Sequence, residues 1–147
     1  MLDPGVQEFR QFYVSPALHA WITNDLPKLQ SSLGIEQSPL MQFVDLAEIF
    51  CGGERLTYGL SFKPLTYHAD GIWQLKTQDL RIFGWFHRKD CFVGAVADDA
   101  TKIKKHDLYH GYANTTTKGF REAIDLDNPK YVSGDDPHAV VSNFNYS

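Results

Sequence analysis

Apolar positions along this 147-residue chain change period near residue 56, from helical spacing to strand-like runs. Residues 6–14 (VQEFRQFYV) are rich in aromatic and β-branched side chains and predict a first strand. Ser15-Pro16 is a helix start signal, a capping hydroxyl followed by proline at the first helical position. Leu18, Trp21, Ile22, Leu29 and Leu33 keep approximate helical spacing after it. Pro27 is expected to kink or break that helix, because its ring removes a backbone donor. Ser38-Pro39 repeats the start signal. Leu40, Phe43, Val44, Ala47 and Phe50 then form an apolar stripe that Gly52-Gly53 stops.

Residues 56–62 read as a strand or an extended connection. Three β-type runs follow, at 71–77, 80–86 and 91–97, with turns at Gln78-Asp79 and His87-Arg88-Lys89-Asp90. Connections this short require neighbouring antiparallel strands. Thr115–Thr117 could cap a short last helix through Phe120, Ala123 and Ile124. The expected fold is therefore α+β, a single domain of order β-α-α-β-β-β-α, with a small, mostly antiparallel sheet packed against two N-terminal helices. Residues 1–127 form this domain, and residues 128–147 read as an irregular acidic tail.

Composition narrows the class. Aromatic content of 14% and hydrophobic content of 43% suit a packed core and exclude a disordered chain. No apolar run approaches the roughly 20 residues of a membrane helix. The N-terminus lacks a basic and then apolar leader. Cys51 and Cys91 lie far apart without a CxxC pattern, as expected of reduced core thiols in a cytoplasmic protein.

Charge changes the picture more. The net charge is −4, but residues 76–121 carry nine basic groups against five acidic, a local +4. The segments 1–75 and 122–147 each carry −4. Local potential steers a charged ligand, so the middle third is the candidate anion-binding region. Alternation in the 80–86 run places Arg81 beside Phe83 and Trp85, with Leu80, Ile82 and Phe86 on the opposite face. An arginine fixed there could grip a phosphate through its planar fork, or could simply pair with a neighbouring carboxylate. Lys102, Lys104 and Lys105 follow the last strand, where Asp98 and Asp99 are expected to weaken their field. Phe83 and Trp85 are expected to be buried, whereas Tyr109 and Tyr112 could stack on unpaired bases. His106 and His110 could transfer protons or, if on one helix, share a zinc ion. No P-loop, no dinucleotide fingerprint and no nucleophile elbow occurs.

The series LSFKPL (60–65), GIWQLK (71–76), DLRIFGWF (79–86), CFVGAVAD (91–98) and KIKK (102–105) resembles the RelE/ParE superfamily, nearest to RelE- and HigB-like toxins of toxin–antitoxin systems. The resemblance spans roughly residues 6–125 in element order. It implies a metal-independent, cofactor-free endoribonuclease that cuts mRNA at the ribosome and inhibits translation. In such enzymes the substrate 2′-hydroxyl attacks the adjacent phosphate. Arg81 matches the family's strand arginine at the scissile phosphate, and Lys104-Lys105 match its lysine pair. With Arg81, the resemblance assigns Lys102, Lys105 and Tyr109 to catalysis. It assigns Lys76, Arg88, Lys104, Tyr112 and Arg121 to RNA binding. A cognate antitoxin, acidic or amphipathic, would dock near residues 81–112. Two other functions compete: a non-enzymatic binder on the same fold (a ParE-like gyrase inhibitor or a protein adaptor), and a zinc hydrolase built on His106 and His110.

Overall fold

A computed structural model describes residues 9–146. The first strand, β1, is Gln11–Val14, and residues 6–8 of its expected span lie outside the described residues. Helix α1 (Pro16–Asn24) starts as the sequence requires: the Ser15 hydroxyl accepts the Leu18 N–H at 3.0 Å, with Pro16 at the first turn. It ends before Pro27, which falls in a single 3₁₀ turn, Leu26–Lys28. Leu29 and Leu33 therefore lie beyond the helix, and Leu33 is exposed. Helix α2 (Pro39–Cys51) is capped by Ser38 and ends at Gly52, with Gly53 in the left-handed region at φ +73°. It buries Phe43, Leu46, Ala47 and Phe50.

Strands β2 (Leu56–Tyr58), β3 (Phe62–Pro64), β4 (Ile72–Lys76), β5 (Leu80–Arg88) and β6 (Cys91–Asp99) follow. Helix α3 is Ala100–His106. A π-helical stretch, Gly111–Lys118, runs on into α4 (Gly119–Ala123), and β7 is Phe144–Tyr146. Thr115, Thr116 and Thr117 lie inside this stretch and cap nothing. The α+β class and the single domain stand, but the sheet is larger than expected. It has seven strands in the order β1-β6-β5-β4-β3-β2-β7. Its centre, β6-β5-β4-β3, is antiparallel, and β1, β2 and β7 pair parallel at the flanks.

Both faces of the central strands are covered, which is why their sequences read as nearly continuous apolar runs. On one face Phe12, Phe43, Phe50, Leu80, Ile82, Phe86 and Phe92 pack together beneath α1 and α2. On the other, Ile72, Phe83, Trp85, Val93 and Ala95 pack against Ile103 and Ala113 of the later helices. Gly84 permits the close approach of β5 to β6: a Cβ there would stand 2.0 Å from the Val93 carbonyl oxygen. Residues 128–146 are not an irregular tail. Val132 donates its N–H to the Phe86 carbonyl, Val140 and Val141 are buried, and β7 adds a strand beside β2. The expected boundary at 127 cuts through that packing. Among the described residues no helix is long and apolar enough to cross a membrane.

Candidate functional site

Arg81 lies on β5 between Lys76 of β4 and Asp98 of β6, its direct cross-strand partners. Its face is the one alternation predicts, since Leu80, Ile82 and Phe86 join the first core and Phe83 and Trp85 the second. Only 7% of it is exposed. Its hydrogen bonds leave from Nη1, to the carbonyls of Thr77 (2.6 Å) and Leu80 (2.8 Å). Nε has no partner, and no carboxylate among the described residues forms an ion pair with the guanidinium. Arginine thus sits on a rigid strand with part of its donor fork unspent, a costly arrangement for a buried polar group.

Positive charge gathers around it. Lys76 donates to the Gly59 carbonyl at 2.9 Å. Its ammonium is held below the ordinary lysine value, first by burial and then by the nearby charges of Arg81, Lys63 and Lys104. Lys76 and Arg81 line a cleft of about 400 Å³ together with Gln42, Thr77, the carboxylate of Asp45 and the apolar Leu46, Ile49 and Leu56. Gln42 is buried and orients this corner: it donates to Asp79 Oδ2 (2.6 Å) and accepts from the Thr77 hydroxyl and the Asp79 N–H. Two cations and several apolar side chains in one cleft suit a ligand that carries both an anionic and an apolar group, with Asp45 opposing the anion.

The two aspartates that end β6 are committed to partners of their own. Asp98 accepts from Lys102 Nζ (2.8 Å) and the Tyr112 hydroxyl (2.6 Å), and its other oxygen takes the Asp99 N–H. Burial pushes its carboxyl up, but those three donors together bring it below the usual value. Tyr112 moves the other way: burial and the adjacent carboxylate push its hydroxyl up to about 12. It is a fixed donor at neutral pH and not a base. Asp99 caps α3, accepting the Lys102 N–H at 3.1 Å, and also takes the Ser32 hydroxyl. Lys104, Lys105 and His106 fill the last turn of α3, where cations favour the helix dipole. The lysine cluster therefore has a helical rationale of its own.

The structure unites only part of the candidate set. Arg81, Lys76 and Lys104 share one neighbourhood. Lys102 and Tyr112 line a second cleft, of about 500 Å³, with Trp21 and Leu29. Lys105 is exposed on α3. Tyr109 and Tyr112 are half-buried and pack on Phe83, Tyr112 stacked at 5.4 Å and Tyr109 edge-on at 6.1 Å. Arg88 lies seven residues along β5 from Arg81, about 23 Å at the rise of a strand. It binds the His87 and Pro129 carbonyls there. Arg121 is buried, donates to the Asp70 carbonyl and lies 3.6 Å over the Tyr131 ring. Both arginines are fastened to the fold away from the cleft. His106 and His110 do not share a helix, because α3 ends at His106 and Asp107 turns left-handed at φ 52°. Sequence reasoning passed over Lys63 and Gln42. Lys63 reaches this neighbourhood through its pairing with Gln74 across β3 and β4, and nothing local in the sequence marks either residue. Comparison with protein-family models, with curated proteins and with solved structures finds no match for the chain.

Proposed function

We propose that the chain is a metal-independent mRNA endoribonuclease of the RelE-like toxin kind, acting at the ribosome and neutralised by a cognate antitoxin. The observation that carries this reading is Arg81: buried, without a carboxylate partner, beside Lys76 and at the wall of a cleft. In the reaction the substrate 2′-oxygen forms a bond to the adjacent phosphorus and the bond from phosphorus to the 5′-oxygen breaks. The products are a 2′,3′-cyclic phosphate and a 5′-hydroxyl, the 2′-proton being lost and the leaving oxygen gaining one. Arg81 and Lys76 stabilise the charge that builds on the phosphorane, and Lys104 and Lys105 hold flanking phosphates.

Inducing the chain in cells and mapping mRNA 5′ ends tests it. Translation should arrest with new 5′ ends, and Arg81→Ala should lower cleavage by about 10²–10³-fold, the usual cost of one oxyanion donor. Normal growth with intact mRNA would overturn it.

Two observations favour a second reading, a non-enzymatic binder on this fold. Lys102 is neutralised by Asp98, and Tyr112 is held protonated as a donor. DNA damage without mRNA cleavage would identify a gyrase inhibitor. Growth inhibition with neither would identify a protein adaptor.

A further inference from the structure

His68 and His110 come from segments 42 residues apart and meet at the surface. His68 lies in the loop between β3 and β4, whose neighbours Leu65 and Ala69 are anchored in the second core. His110 stands just ahead of the π-helical stretch, and Ala113, three residues on, is anchored in that same core. Both imidazoles are exposed, so packing does not force them together. Their Nδ1 atoms are nonetheless 3.4 Å apart, with the rings inclined at 59°.

The geometry points to a two-histidine clip for a divalent late transition-metal ion, Zn²⁺ foremost. Imidazole nitrogens bind zinc at about 2.0–2.1 Å, and two ligands at a tetrahedral angle are then about 3.3–3.4 Å apart. The Nδ1 separation has that value. In the metal-free chain the two nitrogens share one hydrogen bond, one ring donating and the other accepting, and a bound ion would replace that proton, which moves to Nε2 of its ring or to water. A neighbour can support the tautomer this needs once its amide is turned. The Asn114 side-chain amide lies 3.5 Å from His110 Nε2. The amide nitrogen and oxygen interchange by a flip. With the oxygen inward, Nε2–H donates to it and Nδ1 is left as the metal-facing lone pair, the usual outer-shell arrangement for a ligating histidine.

Among the described residues no cluster of three or more His, Cys, Asp or Glu forms a metal cage, so the remaining coordination positions belong to water or an incoming donor. The clip is thus an exchangeable site rather than a structural cage. Its ion would tie the β3–β4 loop to the helix that covers Phe83 and Trp85, and would stabilise the folded chain by mass action. It lies outside the residues assigned to phosphate chemistry, so it holds or fails independently of the nuclease reading.

The test is a calorimetric titration of the metal-free chain with Zn²⁺, read in parallel by the ring-nitrogen NMR signals of its histidines. One equivalent should bind, and the Nδ1 signals of His68 and His110 should move together. His68→Ala and His110→Ala should each weaken binding at least about tenfold, with the double variant little worse than either. Asn114→Ala should weaken it by about tenfold, a typical outer-shell cost. His19→Ala, on the exposed side of α1, should change nothing. Unaltered affinity in His68→Ala or His110→Ala, with far-ultraviolet circular dichroism showing the variant folded, would overturn the clip. So would movement of other histidines in place of these two.

Discussion

Arg10 and Arg81 are both buried, 1% and 7% exposed, and the protein uses them in opposite ways. Arg10 spends four of the five N–H donors of its fork, with every nitrogen engaged. Nε pairs with Asp90 at 3.3 Å, Nη1 donates to the Phe50 carbonyl, and Nη2 to the carbonyls of Glu54 and Asn143. The Phe50 ring lies 5.2 Å beneath it. One side chain thereby joins β1, the end of α2, the β5–β6 turn and the last segment of the chain. Arg81 binds two carbonyls of its own strand and turn through one nitrogen and leaves Nε unmet. Burial alone does not separate the two arginines; the number of donors each one spends does.

Replacing each arginine breaks the comparison most directly. Arg10→Ala leaves three carbonyls and the half-buried Asp90 without their donor, and should cost about 3–5 kcal/mol in denaturant unfolding. Arg81→Ala removes a group whose fork was only partly satisfied. It should cost about 1 kcal/mol in the same measurement while lowering the proposed cleavage by about 10²–10³-fold. Equal stability losses at the two sites would show that Arg81 is as structural as Arg10.

A smaller effect sharpens the contrast at the neighbouring carboxylate. Tyr112→Phe removes the hydroxyl that Asp98 accepts, at about 1 kcal/mol near neutral pH. The sign with pH follows from the two shifts. Tyr112 is raised, so its contribution is complete below the ordinary tyrosine value of 10.0 and is lost as pH climbs towards about 12. Asp98 is lowered, so its contribution is present above the ordinary 3.8 and is lost as pH falls below it. Unfolding curves should show both losses in the parent chain. In Tyr112→Phe the alkaline one should vanish and the acid one shrink, Lys102 still holding Asp98.

Much of the scaffold was legible because its signals are local. Ser15-Pro16 and Ser38-Pro39 cap helices by contacts three residues away, and alternation placed Arg81 on the face of Phe83 and Trp85. What was illegible depends on distant partners. Phe144–Tyr146 becomes a strand only because Leu56–Tyr58 offers it an edge. Asp98 opposes the lysines as expected, through Lys102, but its other side-chain partner, Tyr112, and the Ser32 that Asp99 accepts from lie 14 and 67 residues away. His110 was read against His106 along a helix that the left-handed Asp107 interrupts, and its neighbour in space is His68.

The parallel flanks of the sheet bear on how the chain acquires its shape. β1 must wait for β6, since Gln11 pairs with Cys91, and β2 must wait for β7, since Leu56 pairs with Phe144. Closing such long loops costs entropy before any pairing returns it, which slows folding. A half-synthesised chain therefore presents Phe12, Phe43 and Phe50 to solvent while the strands that will cover them are still being made. Until the antiparallel centre has formed, that exposed apolar surface is where copies of the chain would aggregate.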